Sequence, residues 1–463
     1  MPRVWSKNGA LTTNKKKHVK GGAECQVFLD TRGRQPIFLN TSYVHMSRGG
    51  CSVDEEEDDD EEVEVKLGSN EKATRPESPG RALGMETQFS CREAYLFDYF
   101  TSFICPNCSL SPTHNPYLRY ITPMALSYAP LQHVILSVAA NQLRLLNDNR
   151  YEREAWLYKA CAMSGLRASM DAGNVEWPFV ATVLMLCFYD ISDGCDESWI
   201  THLKGGLGVL QHVQSAASRH TEGAALTRFF MMYFIAHQIM SATARETSPT
   251  MPGHAWLGDD CMDEIDTMMG CSRGLLSLID QTSTEASYYS TISRSRAFSN
   301  EEIDEIWLIW EHLSSAIRAA PQVASPTSIA SEKANHLVRV ANCKRTAALI
   351  YLHERFASFL PALDASEAKK SSIAQLVSQL AVLPATPTLL WPLFILGRAS
   401  PESEDHRRFV LDRLTEMQRL RNLGSVRLAR RLVEGEYRRY DLNLDGSGPR
   451  NEVGVRGKWI SLA

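Results

Sequence analysis

Between positions 131 and 146 the apolar residues Leu131, Val134, Ile135, Val138, Ala139 and Leu146 step as i, i+3, i+4, while Leu136, Ala140 and Leu143 fill a second face. A helix apolar nearly all round belongs inside a fold, so this segment is predicted to be a core helix. Residues 179–189 and 229–240 carry the same pattern. Ser299-x-x-Glu302 has the spacing of a capping box, and Ile303, Ile306, Trp307, Trp310, Leu313 and Ile317 then keep one apolar stripe. Further helices are predicted near 150–172, 199–215, 329–358, 366–382 and 404–440, with Ser272 capping a helix over 273–279. Loops are predicted at 243–254, 281–298 and 321–328. No run alternates apolar and polar residues between hairpin turns, and no short period repeats. The expectation is an all-α chain: one large irregular helical domain over residues 84–445, flanked by tails.

Residues 1–83 differ from the rest. Lys15, Lys16, Lys17 and Lys20 form a basic patch, a candidate nuclear-import signal, and residues 54–62 are nine consecutive acids. Such a block repels itself and buries nothing, so this segment is expected to be a disordered tail, as is a flexible stretch over 446–463. Residues 1–50 hold nine Lys/Arg against two acids, residues 51–80 three against twelve, and the remainder is nearly balanced. A net charge of −5 gives no global basic field to draw the chain to nucleic acid. Eleven scattered cysteines do not form a disulfide framework and suggest a reducing compartment. The longest apolar stretch, Trp177 to Tyr189, falls short of the roughly 18–20 residues that span a bilayer, which predicts a soluble intracellular protein.

Several motifs invite a chemical reading. Asp259, Asp260 and Asp263 have the DDxxD spacing with which all-α terpenoid synthases hold magnesium against a diphosphate. The second metal-binding sequence of those enzymes is absent, which favours an acidic helix start. Gly270-Cys271-Ser272-Arg273-Gly274 matches the elbow of serine hydrolases, but 263–269 does not read as the strand that elbow requires. Cys105-x-x-Cys108, with His114 beyond, lacks the second pair that a structural zinc needs. Ten arginines between Arg407 and Arg439 face four acids and are expected on a solvated helix face, their stems covering apolar neighbours.

The order of segments says more than any of these motifs. Tyr95 to Phe100, Asn115-Pro116-Tyr117, Ile121 to Ala125, Leu131 to Ala140, Ala181 to Asp190, Trp199 to Gly206, Met269 to Ser272, Ala348 to Leu352 and Trp391 to Gly397 follow one another. This series resembles the fungal-specific transcription factor domain, the helical regulatory region of fungal binuclear zinc-cluster transcription factors, and within it the acriflavine-sensitivity-control type. Trp199, His202, Gly205, Gly270, Ser272, Trp391, Pro392 and Gly397 stand at its signature positions, in structural and not catalytic roles. The resemblance implies a nuclear, non-enzymatic regulator of transcription by RNA polymerase II. Its partners would be the transcription machinery or other regulators, with a small-molecule effector, and no cofactor is expected. The family's DNA reader needs six thiolates around two zinc ions. Upstream of the helical domain stand only Cys25 and Cys51, with Cys91 at its threshold, so DNA binding is not carried over to this chain.

Overall fold

The computed structural model describes residues 89–111, 114–217, 221–245, 262–324, 332–363, 367–442 and 459–463. The lysine patch, the acidic run, and residues 446–458 of the expected C-terminal tail lie outside them. Fourteen α-helices and no strand are found among the described residues, so the domain is all-α. They are α1 (Cys91–Tyr99), α2 (Thr122–Ala125), α3 (Ala129–Leu145), α4 (Glu152–Asp171), α5 (Trp177–Asp193), α6 (Ser198–Ala217) and α7 (Thr221–Arg245). After them come α8 (Arg273–Ser295), α9 (Asn300–Ala319), α10 (Glu332–Phe356), α11 (Glu367–Ala381), α12 (Leu390–Ala399), α13 (Glu404–Arg421) and α14 (Gly424–Asp441).

Pattern and packing agree in the first half. In α3 and α5 alike, thirteen of seventeen residues are buried, as helices apolar on every side require. Pro178 sits in the first turn of α5, where its missing N–H would have had no partner. Helix α3 packs against α4 and α5, α5 against α6, and α7 bridges α5 and α6 to α8. In the second half α10 is the axis, with α11 and α12 against it, and α14 packs on both α12 and α5. The capping box at Ser299 and Glu302 forms, with the Ser299 amide donating to Glu302 Oε2 at 2.8 Å.

Residues 281–298 depart from the predicted loop: α8 runs on to Ser295. The serines and threonines that suggested irregular chain turn their hydroxyls back on the helix. Thr282 donates to the Leu278 carbonyl at 2.8 Å, Ser283 to Ile279 at 3.0 Å, and Ser287 to Ser283 at 2.7 Å. Bonded this way, they stop competing for the backbone and the helix persists. Between α13 and α14 the chain turns at Asn422, which is left-handed with φ +49° and donates its side-chain amide to the Leu145 carbonyl at the end of α3 (2.7 Å). At the other end of the chain, Ile460, Ser461 and Leu462 are buried, and the Arg245 guanidinium lies 3.7 Å from the Trp459 ring centre.

The α6–α7 contact depends on the absence of one side chain. A Cβ on Gly206 would lie 2.3 Å from Cζ of Phe234, a ring with no exposed surface. Gly206→Ala is therefore expected to lower stability by about 1–3 kcal/mol. Gly208→Ala, two residues on with nothing within 4 Å of the new carbon, should raise it by up to about 1 kcal/mol through helix propensity. Urea denaturation of the two variants checks the pair, and equal responses would contradict the packing.

Candidate functional site

The carboxylate of Asp190 interrupts the apolar run of α5 and is buried. Lys159 of α4 reaches it at 2.6 Å, the Ser198 hydroxyl at the start of α6 donates to its other oxygen at 2.7 Å, and His202 Nε2, one turn further along α6, lies 3.4 Å away. The Asp190 carbonyl accepts the Cys195 amide at 2.9 Å, closing the α5–α6 connection. Burial pushes the pKa of His202 below its ordinary 6.5, with Asp190 opposing and Lys159 reinforcing, so the ring is neutral at pH 7. Trp199 is fully buried beside it, its carbonyl 3.6 Å from the Cys187 thiol. Gly205 is half-buried, and the close helix approach falls instead on its neighbour Gly206. The arrangement ties three helices together by charge, with Lys159, Ser198 and His202 all gathered on the one Asp190 carboxylate.

The turn before α8 holds the second signature. Asp266 Oδ1 accepts the amides of Met268 and Met269, each at 2.9 Å, and its carbonyl accepts Gly270 N–H at 2.8 Å. Gly270 has φ +65°, and a Cβ there would lie 2.7 Å from Val340 Cγ1. Ser272 is fully buried, and its hydroxyl accepts the Leu275 amide as the cap of α8. That hydroxyl is committed to the helix end, with none of the exposure a hydrolase elbow gives its serine. In the third signature, Trp391 Nε1 donates to Thr243 Oγ1 at 2.9 Å. Pro392 lies in the first turn of α12, and Gly397 faces α14, where a Cβ would lie 2.9 Å from Val433.

The remaining motifs are dispersed. Asp259 and Asp260 lie outside the described residues, and the backbone of Asp263 accepts the Val323 amide in an exposed turn. Cys105 and Cys108 share a 3₁₀ turn, and burial pushes both thiols above their ordinary pKa. His114 borders a different cleft, beside Arg119 and Arg228. Among the described residues no group of three His, Cys, Asp or Glu side chains could hold a metal ion. None of the described helices is long and apolar enough to cross a membrane.

At the crossing of α5, α7 and α14 lies a cavity of about 90 Å³, measured as the space open to the centre of a water molecule. Phe188, Ile191, Met269 and Leu390 give it apolar walls, and Tyr117, Tyr233, His237, Ser192 and Ser425 add polar atoms. His237 Nδ1 is 2.8 Å from the Tyr233 carbonyl, so that nitrogen carries the proton, and burial holds the ring's pKa at about 4. Arg421, the last residue of α13, lines the cavity with only 4% of its surface exposed. Arg421 was hidden in the sequence as one of ten arginines expected on a solvated face. Arg408, Arg419, Arg431 and Arg438 meet that expectation and are exposed. Asp190 left a clearer signal, a charge within an apolar run.

The helices and the clusters around Asp190, Ser272 and Trp391 describe a helical body held together by packed, hydrogen-bonded side chains. Searches among curated proteins and among solved structures found no match. The family model of the fungal specific transcription factor domain matches residues 95–459, a span that takes in all three signature clusters, and the chain belongs to that family.

Proposed function

We propose that this chain regulates transcription by RNA polymerase II from the nucleus, acting through its helical domain on the transcription machinery or on other regulators. It would do so without a zinc-cluster reader of its own and without catalysis. The observation that carries the reading is the family match over residues 95–459. Two features support the non-enzymatic part: the Ser272 hydroxyl is spent on a helix cap, and His202 faces a carboxylate already paired with Lys159. Lys15, Lys16, Lys17 and Lys20 would supply the import signal, since a short lysine cluster is what import receptors grip.

Fusion of the chain to a heterologous DNA-binding domain, with a reporter promoter carrying its site in a fungal host, tests the proposal. Tethering should raise or lower reporter output several-fold, and the effect should be lost when residues 95–459 are deleted. An unchanged reporter across nutrient and stress conditions would overturn it.

A further inference from the structure

We propose that Ser299 is a phosphorylation site, taken by a serine kinase that recognises arginine at −3 and −5. In all 463 residues it is the one serine or threonine with arginine at both places, Arg296 and Arg294. Kinases choose among serines by such charge patterns. The fold presents this one at the surface, where residues 293–297, 299 and 300 are exposed at the connection between α8 and α9. The backbone is extended at Arg296 (φ −162°, ψ 164°) and again at Ser299 (φ −75°, ψ 164°). Arg294 sits in the last turn of α8, the part of a helix that frays first. Phe298, with its ring 6.1 Å from Tyr289 and 5.9 Å from Phe359, anchors the connection while its neighbours stay open to solvent.

Helix capping alone does not account for the pattern. Helix α1 opens with the same capping box, Ser90 with Glu93, and there −3 and −5 hold Thr87 and Met85. Arg296 pairs with Glu302 at 2.7 and 2.5 Å, but the contact lies at the surface and opens at little cost. The Ser299 hydroxyl accepts the Glu302 amide at 3.2 Å, a bond that does not use its proton. In the transfer that oxygen attacks the γ-phosphorus of magnesium-bound ATP. An O–P bond forms as the bond from phosphorus to the β–γ bridging oxygen breaks, ADP departs, and the hydroxyl proton passes to the kinase's aspartate. The new phosphate carries about two negative charges at the N-terminus of α9, where the first-turn amides and Arg296 meet it. Glu302 is pushed off that guanidinium by like charge. With Glu301, Asp304 and Glu305 beside it, the corner becomes strongly acidic, a change that a protein partner can sense. None of this depends on the transcriptional reading.

The experiment incubates the purified full chain with radiolabelled ATP, magnesium and a serine kinase specific for arginine at −3 and −5. A parallel arm uses an acid-directed kinase, which would take Glu302 at +3 as its signal. Label should saturate at one phosphate per chain, and peptide mass spectrometry should place it on Ser299 and not on Ser90. Arg294→Gln leaves the cap and the Arg296–Glu302 pair in place and should slow labelling about tenfold, the worth of a charge-assisted contact. Ser299→Asn keeps a residue that caps α9 but has no hydroxyl, so it should take up no label. No label on Ser299, an equal rate in Arg294→Gln, undiminished label in Ser299→Asn, or faster labelling of Ser299 by the acid-directed kinase would each overturn the proposal.

Discussion

Asp190→Asn should cost the domain about 3 kcal/mol or more. The asparagine keeps the shape and can still accept from Ser198, but it leaves the Lys159 ammonium without an anion in a place where only 13% of that side chain meets solvent. Breaking a buried pair from one side strands the other charge, and that desolvation is the main loss. The second half of the prediction follows from the same physics. Adding Lys159→Met removes the stranded charge, so the double variant should be more stable than Asp190→Asn alone. An exposed pair gives the contrast: Lys370 and Glu367 meet at 2.8 Å with side chains 67% and 86% exposed, and Lys370→Ala should change stability by less than about 0.5 kcal/mol. Urea denaturation followed by circular dichroism at pH 7.5 measures all three. A loss below about 1 kcal/mol for Asp190→Asn, or no recovery in the double variant, would mean that the three helices meet without depending on this charge.

What the chain discloses before folding follows from the range of each interaction. Helices α3, α5 and α9 are legible because periodicity and caps are local, and the order of segments led to the family that residues 95–459 match. The end of α8 was not legible, because Thr282, Ser283 and Ser287 have poor helix propensity until their hydroxyls find the preceding turn. Gly205 and Gly206 look alike in a Lys-Gly-Gly sequence, and only the position of Phe234 on α7 tells which of them must lack a side chain. Arg421 was the least legible. Its burial depends on the left-handed turn at Asn422 and on Gln142, 279 positions away in the chain. No pattern within the arginine-rich helices separates it from the solvated ones.

Acidification should unfold the domain between pH 6.5 and about 4. His237 has an ordinary pKa of 6.5 that burial lowers to about 4, with Lys344 adding to the shift. His353 is held at about 4 by burial and by the charges of Arg318 and Lys369, and burial lowers His202 in the same direction. Above pH 6.5 these rings are neutral folded or unfolded and do not bias the equilibrium. Below it the unfolded chain takes up protons that the folded chain refuses, so stability falls with pH until the folded pKa is reached. For His237, buried with 7% of its surface exposed, that difference amounts to about 3 kcal/mol at pH 4, a large part of the ~5–15 kcal/mol that holds a domain together. Asp266 and Glu285 work the other way, since burial raises their pKa, but they are two carboxyls against several imidazoles. His353 makes the sign testable. Its ring lies edge-on to Trp310 with centroids 5.2 Å apart, and neither ring nitrogen is hydrogen-bonded, so a phenyl ring can take its place. His353→Phe should match the parent at pH 7.5, lose less stability per pH unit below 6.5, and unfold at a lower pH. Urea titrations at half-unit pH steps read the slope directly, and a parent whose stability stays level or rises down to pH 4.5 would show that these histidines reach water in the folded state.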